Sequence, residues 1–197
     1  MQSQTNETHP GNIEMMARLS IRMAVFAGGL TVGAGTRFNV TGSYTRSGGT
    51  TTVDGTLTDP SGTTINAGKV FGKGTVARTV VSSGSVTAGD SLLRAGKLSL
   101  TTYTQNATPA TLNIQLGGTT VGTQYSQLAV ANGASLDGTL NVTLINNFVP
   151  GVGATFAIFT SSVRRGTFST VNLPTLTGAH FQINYWATSV TLTVVSG

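Results

Sequence analysis

The stretch Tyr125–Ile145, YSQLAVANGASLDGTLNVTLI, alternates apolar and polar residues and is broken by turn formers. Leu136, Leu140, Val142 and Leu144 fit a period of two with one buried face, which is a strand pattern. Asp137-Gly138 interrupts it. Asp bonds its own backbone and Gly accepts positive φ, so the pair reads as a corner. The same core recurs in TTVDGTLT, Thr51–Thr58, around Asp54-Gly55. The chain has only six acidic residues, so this pair is also the first candidate for catalytic carboxylates.

Composition agrees with strands. Only 9% of the 197 residues are charged, 26 are glycine, and no Glu follows Glu14. Thr and Val favour pleated, half-buried strands, while Gly and Asn supply turns. The chain is therefore expected to be all-β. Its net charge of +5 reflects scarce acids rather than a basic face. The eleven Lys and Arg are scattered, with only Arg164-Arg165 adjacent, which excludes a nucleic-acid stripe. Zero Cys excludes a disulfide framework and thiolate metal sites.

Three regions follow. Residues 1–27 read as an N-terminal leader or capping helix. Arg18 and Arg22 before an apolar run resemble a signal peptide, and Met15, Leu19, Met23 and Phe26 fit one helix face. Residues 28–149 are short alternating segments with Gly-rich punctuation, as in Leu98/Leu100 and Leu112/Ile114/Leu116. They also resemble one another: AGKVFGKGTV pairs with AGKLSLTTYT, and GSYTRSGG with TTYTQNAT. Inexact self-similarity at about 20 residues predicts a solenoid of stacked parallel strands. A β-sandwich is the alternative. Residues 150–197 hold most of the aromatics, including Phe156, Phe159, Phe168, Phe181, Tyr185 and Trp186. They read as a C-terminal cap of antiparallel strands, continuous with the solenoid core and covering its last edge. No transmembrane span is expected.

The ordered series INAGKVFGKGTV, GSVTAGDS, GKLSLTTYTQ, LNIQLGG, YSQLAVANGASLDGTLNVTL and GVGATFAIF…GTFSTVNLP resembles the C-terminal part of autotransporter-type and haemagglutinin-like bacterial passengers. The resemblance spans about Gly28 to Val195 and implies a right-handed parallel β-solenoid at a Gram-negative-type cell surface. It implies adhesion, display or assembly, and no catalytic residue. Residues 1–27 depart from the pattern, and no barrel strands follow VTLTVVSG. On that reading the chain is a fragment, a separate subunit, or a protein exported another way.

The residues support no convergent chemistry. Glycosidase carboxylates sit roughly 5 to 9.5 Å apart. Asp54 and Asp137 are about four coils apart, and stacked strands rise about 4.8 Å each, so some 20 Å would separate them. Asp90 lies in TAGDS and Asp59 in the turn-like TDPSG. His9 sits in a polar leader and His180 in a strand, with no Gly-x-Ser-x-Gly elbow. Metal-ligand clusters are lacking. GAGTRF and GKGTV lack P-loop spacing, and the Asn-x-Thr triplets at Asn39, Asn106 and Asn141 suit an Asn/Thr-rich chain. Tyr44 and Tyr103 are read either as an exposed glycan-contacting ladder or as core packing. Thr and Asn ladders would hydrogen-bond between rungs and stiffen the rod.

The expectation is thus a non-enzymatic, adhesin-like solenoid segment of a secreted or cell-surface bacterial protein. It would act as a rigid stalk, with the C-terminal region as a stable folding nucleus and host or glycan surfaces as partners. No catalytic, cofactor or metal residue is expected, and no cofactor. The first alternative is a self-assembling extracellular subunit, joined through solenoid ends or edges. The second is a polysaccharide-active solenoid enzyme using Asp90 or Asp137.

Overall fold

The computed structural model describes the backbone of residues 3–4, 7–9, 13–15, 19–21, 24–77, 79–81, 83–90 and 93–197. Side chains are described for 27–77, 83–90 and 93–197. Among the described residues there are strands and no helix.

The strands fall into three ladders. The first runs through Ser3–Gln4, Leu19–Ile21, Arg37–Val40, Thr56–Thr58, Thr75–Val76, Lys97–Leu100, Gln127–Val130 and Thr155–Thr160. The second runs through Glu7–His9, Ala24–Phe26, the first halves of Tyr44–Val53 and Thr63–Gly72, then Thr79–Val81, Tyr103–Gln105, Gly133–Leu136 and Val163–Gly166. The third runs through Ile13–Met15, Leu30–Val32, the second halves of the same two long strands, then Ser85–Ala88, Thr111–Leu116, Thr139–Leu144 and Thr170–Asn172. Among the described residues, every pairing within these ladders is parallel, and the strands follow one another through them in the same order eight times. The antiparallel sandwich kept as an alternative does not fit this pairing.

Register follows from the alternating side chains. A one-residue slip would turn every apolar residue outward, so the buried set fixes the pairing. Thr51, Val70, Val86, Leu112 and Leu140 stack in one inward column of the third ladder, each in register with the next and each buried. Phe38, Leu57, Val76 and Leu100 do the same in the first. One contiguous apolar core results.

The step between partners changes along the stack. Thr56 pairs with Thr75, but Thr111 pairs with Thr139 and Thr139 with Thr170, so it grows from about 19 to about 30 residues. Most of the added residues whose backbone is described form loops at one corner, between the third and first ladders: 89–90 and 93–96, 117–126 and 145–154.

Two expectations are corrected. The stretch expected as a capping helix holds Ile13–Met15, Leu19–Ile21 and Ala24–Phe26, three strands of the same ladders. Met15, Leu19 and Phe26, whose spacing fits one helical face, each lie in one of these short strands. Met23 lies outside the described residues. At the other end, antiparallel pairing is narrower than 150–197. Strands 155–160, 163–166 and 170–172 extend the parallel ladders. Only the hairpin Ala179–Tyr185/Ser189–Ser196 is antiparallel, pairing with Thr155–Thr160. It packs on the core through aromatic contacts, Phe181 on Phe156 at 6.4 Å and Tyr185 on Phe168 at 6.3 Å.

Candidate functional site

The scarce carboxylates come first. Asp54 lies at a third-to-first corner and accepts the Lys73 N–H at 3.2 Å. Asp137 lies at a second-to-third corner and accepts the Gly138 N–H at 2.7 Å and the Ser169 hydroxyl. The Ser169 bond, then the Gly138 bond, hold the Asp137 carboxyl below its ordinary value. Leu57 and Leu140 are buried as expected after each Asp-Gly, but the two motifs are not equivalent corners. Four rungs of the third ladder separate Val53 from Val142, about 19 Å at 4.8 Å per rung. The glycines also differ in their purpose. Gly138 has φ 62°. Gly55 is required by close approach, since a Cβ there would meet Gly33 O at 2.3 Å and Thr36 O at 2.4 Å.

The other acids are tied to their own surroundings. Asp59 is fully buried and accepts the N–H groups of Tyr44 at 2.6 Å and of Ser61 and Gly62 at 3.0 Å. It closes the TDPSG turn and pins the start of the next-lower second-ladder strand. Asp90 pairs with Lys73 Nζ at 2.9 Å, a bond that raises the lysine's pKa. Asp54, Lys73 and Asp90 therefore form a corner column of alternating charge. Exposed His180 sits opposite Val195 on the C-terminal hairpin; the His9 side chain lies outside the described residues. Among the described residues, no three His, Cys, Asp or Glu cluster as metal ligands. Among the described residues, no helix is long and apolar enough to cross a membrane.

Tyr44 and Tyr103 are buried, which rules out the exposed ladder and leaves core packing. They occupy the same position of the second ladder, three rungs apart. Tyr44 packs edge-on to Phe38 at 6.3 Å, and Tyr103 lies 6.4 Å from Phe159. Burial raises both phenol pKa values. Two residues on, Gln105 accepts the Tyr103 hydroxyl at 2.8 Å and donates to Ala110 O and Thr139 O. Its counterpart is Arg46, a fully buried guanidinium that donates to Gly28 O. Sequence reasoning missed this buried charge. The available signal was parity, because Arg46 is two residues from Tyr44 and so shares its inward face.

The expected polar ladder is present on the outer side of the third ladder. Asn113 Nδ2 donates to Thr87 Oγ1 at 3.2 Å, Asn141 Nδ2 to Asn113 Oδ1 at 3.0 Å, and Asn172 Nδ2 to Asn141 Oδ1 at 2.8 Å. Parallel pairing in register puts like residues over like, so Thr111-Leu112-Asn113, Thr139-Leu140-Asn141 and Thr170-Val171-Asn172 superimpose rung on rung. Asn141, one of the three Asn-x-Thr asparagines, is the middle member.

Exposed apolar side chains mark two surfaces. At the loop-bearing corner, Leu93, Val121, Val149 and Val152 are 74%, 42%, 81% and 65% exposed. An open groove of about 630 Å³ runs between Leu93 and residues 143–149. Insertions on one edge of a repeat array commonly form its contact face. The second surface carries Trp186, 58% exposed at the turn of the C-terminal hairpin. Its indole Nε1 donates to Thr191 Oγ1 at 3.1 Å. Arg164 supports the turn, donating Nε to Trp186 O at 2.8 Å with its guanidinium 5.2 Å from the Tyr185 ring centroid. Among known proteins, no family model and no curated sequence matches this chain.

Proposed function

We propose that this chain is a non-enzymatic structural segment of a secreted or cell-surface bacterial protein. Its eight three-strand circuits are the coils of a right-handed β-solenoid acting as a rigid stalk. The observation that carries this reading is the uninterrupted parallel register across three ladders, reinforced by the Thr87–Asn113–Asn141–Asn172 bonds. The right hand follows from the strong preference of parallel crossovers and from the resemblance to autotransporter-type passengers. The hairpin Ala179–Ser196 serves as the cap. The loop-bearing corner, with Leu93, Val149 and Val152, is the edge that meets other molecules.

The dispersal of Asp54, Asp59, Asp90 and Asp137 among separate backbone and lysine partners favours this reading over a polysaccharide-cleaving one. Head-to-tail assembly is disfavoured at the C-terminal end. There the hairpin occupies the last edge of the first ladder, and Thr188 O and Ala187 O bond Ser161 N and Arg164 N. Antibody labelling of intact producing cells tests the proposal. Surface staining without permeabilisation is expected; staining only after permeabilisation would refute it.

A further inference from the structure

The outer side of the C-terminal hairpin differs from the rest of the surface. Phe156, Phe181, Val190, Leu192 and Val194 point into the core, so the alternate residues of the same three strands face outward. That outward set includes Gln182, Asn184, Thr191, Thr193 and Thr155, with Trp186 over Thr191. Asn184 Nδ2 lies 3.5 Å from Thr193 Oγ1, and Thr155 Oγ1 lies 3.4 Å from it. These six side chains carry no formal charge. The neighbouring guanidinium of Arg164 is committed to Trp186 O, Gly166 O and the Tyr185 ring.

We propose that this face binds a neutral glycan, with Trp186 as its stacking platform. Trp186 is the chain's only tryptophan, is 58% exposed and stands beside a row of amide and hydroxyl side chains, so its ring face is open for an apolar ring surface to stack on. Its bond to Thr191 presets the ring orientation, so little conformational freedom is lost on binding. A pyranose offers an apolar C–H face to the indole and a rim of hydroxyls. The amides of Asn184 and Gln182 and the hydroxyls of Thr193 and Thr155 supply both donors and acceptors for that rim. Charge decides the ligand class. The face carries no ammonium or carboxylate, exposed His180 lies at its far end, and the Arg164 guanidinium beside it is already bonded to Trp186 O and Gly166 O, so an uncharged sugar matches it better than an acidic one. The proposal extends the adhesin-like reading but does not depend on the stack being a stalk.

The single tryptophan makes the test direct. The full chain is titrated with oligosaccharides of glucose, N-acetylglucosamine, galactose and mannose, and separately with polygalacturonate, following intrinsic fluorescence and calorimetric heat. A saturable response to at least one neutral sugar is expected. Calorimetry should show affinity at least about tenfold weaker in Trp186→Ala, with Trp186→Phe retaining most of it and Asn184→Ala intermediate. Trp186→Ala should keep the wild-type circular dichroism, because the indole lies outside the core. Four results overturn the proposal: no saturable response to any neutral sugar, binding of polygalacturonate alone, unchanged affinity in Trp186→Ala, or burial of Trp186 in a dimer seen by light scattering. None of these would move the surface-labelling result.

Discussion

Removing the middle amide of the asparagine ladder has a cost that follows from counting bonds. Asn141 donates to Asn113 at 3.0 Å and accepts from Asn172 at 2.8 Å. Both are neutral side-chain bonds at partly exposed sites, contributing about 1 kcal/mol each. Asn141→Ala should therefore cost about 2 kcal/mol and Asn172→Ala about 1 kcal/mol. The two variants share one bond, so the double variant should cost about 2 rather than 3 kcal/mol, a coupling of about 1 kcal/mol. Thr143→Ala, an exposed change on the same strand, should stay within about 0.5 kcal/mol. Urea unfolding reads these differences as midpoint shifts at constant slope. Strictly additive losses, or an Asn141 effect no larger than that of Thr143, would refute the ladder's part in holding the rungs.

Three further outcomes follow from the corners. Asp59→Ala leaves three backbone N–H groups without their carboxylate, and should cost at least about 3 kcal/mol by urea unfolding, against under about 1 kcal/mol for Asp54→Ala. Gly55→Ala drives a Cβ into two backbone carbonyls and should cost more than about 3 kcal/mol, while Gly151→Ala, with nothing within 4 Å, should be near neutral. Asp137 has a folded-state pKa below its ordinary 3.8, so its contribution is full above that value and is lost as pH falls through the lowered one. The stability gap between wild type and Asp137→Asn should accordingly close in acid and stay constant from pH 5 upward; a gap that widens in acid would contradict the assignment.

How much of this was legible in the sequence depended on the range of the signal. Strand segments were legible because alternation is local, and the buried Leu112, Ile114, Leu140 and Val142 fall where period two puts them. Register was legible only where a side chain needs core volume. GSYTRSGG and TTYTQNAT do occupy equivalent positions, since each must bury a tyrosine. The Asp-Gly-Thr-Leu copies do not, and neither do the two Ala-Gly-Lys segments, with Lys69 in the third ladder and Lys97 in the first. Any corner between stacked strands asks for the same small, turn-forming residues, so such a motif cannot record which corner it makes. The aromatics illustrate a second limit. The sequence grouped Trp186 with the residues closing the C-terminal end, but it follows Gln182 and Asn184 on the outward side of its strand and is 58% exposed. Which tyrosines pack inside and which aromatic faces solvent was set by pairing partners far along the chain.

The central claim is the parallel stacking of rungs, and a cysteine-free chain allows it to be measured directly. Thr50, Lys69, Ser85, Thr111, Thr139 and Thr170 form one outward column of the third ladder, each paired with the next. Spin labels on Thr50→Cys paired in turn with Thr111→Cys, Thr139→Cys and Thr170→Cys probe three, four and five rungs. Backbone separations of about 14, 19 and 24 Å are predicted, rising by about 4.8 Å per rung. Distances that fail to rise in that order, or that bring position 170 closer to 50 than position 111 is, would contradict the stack.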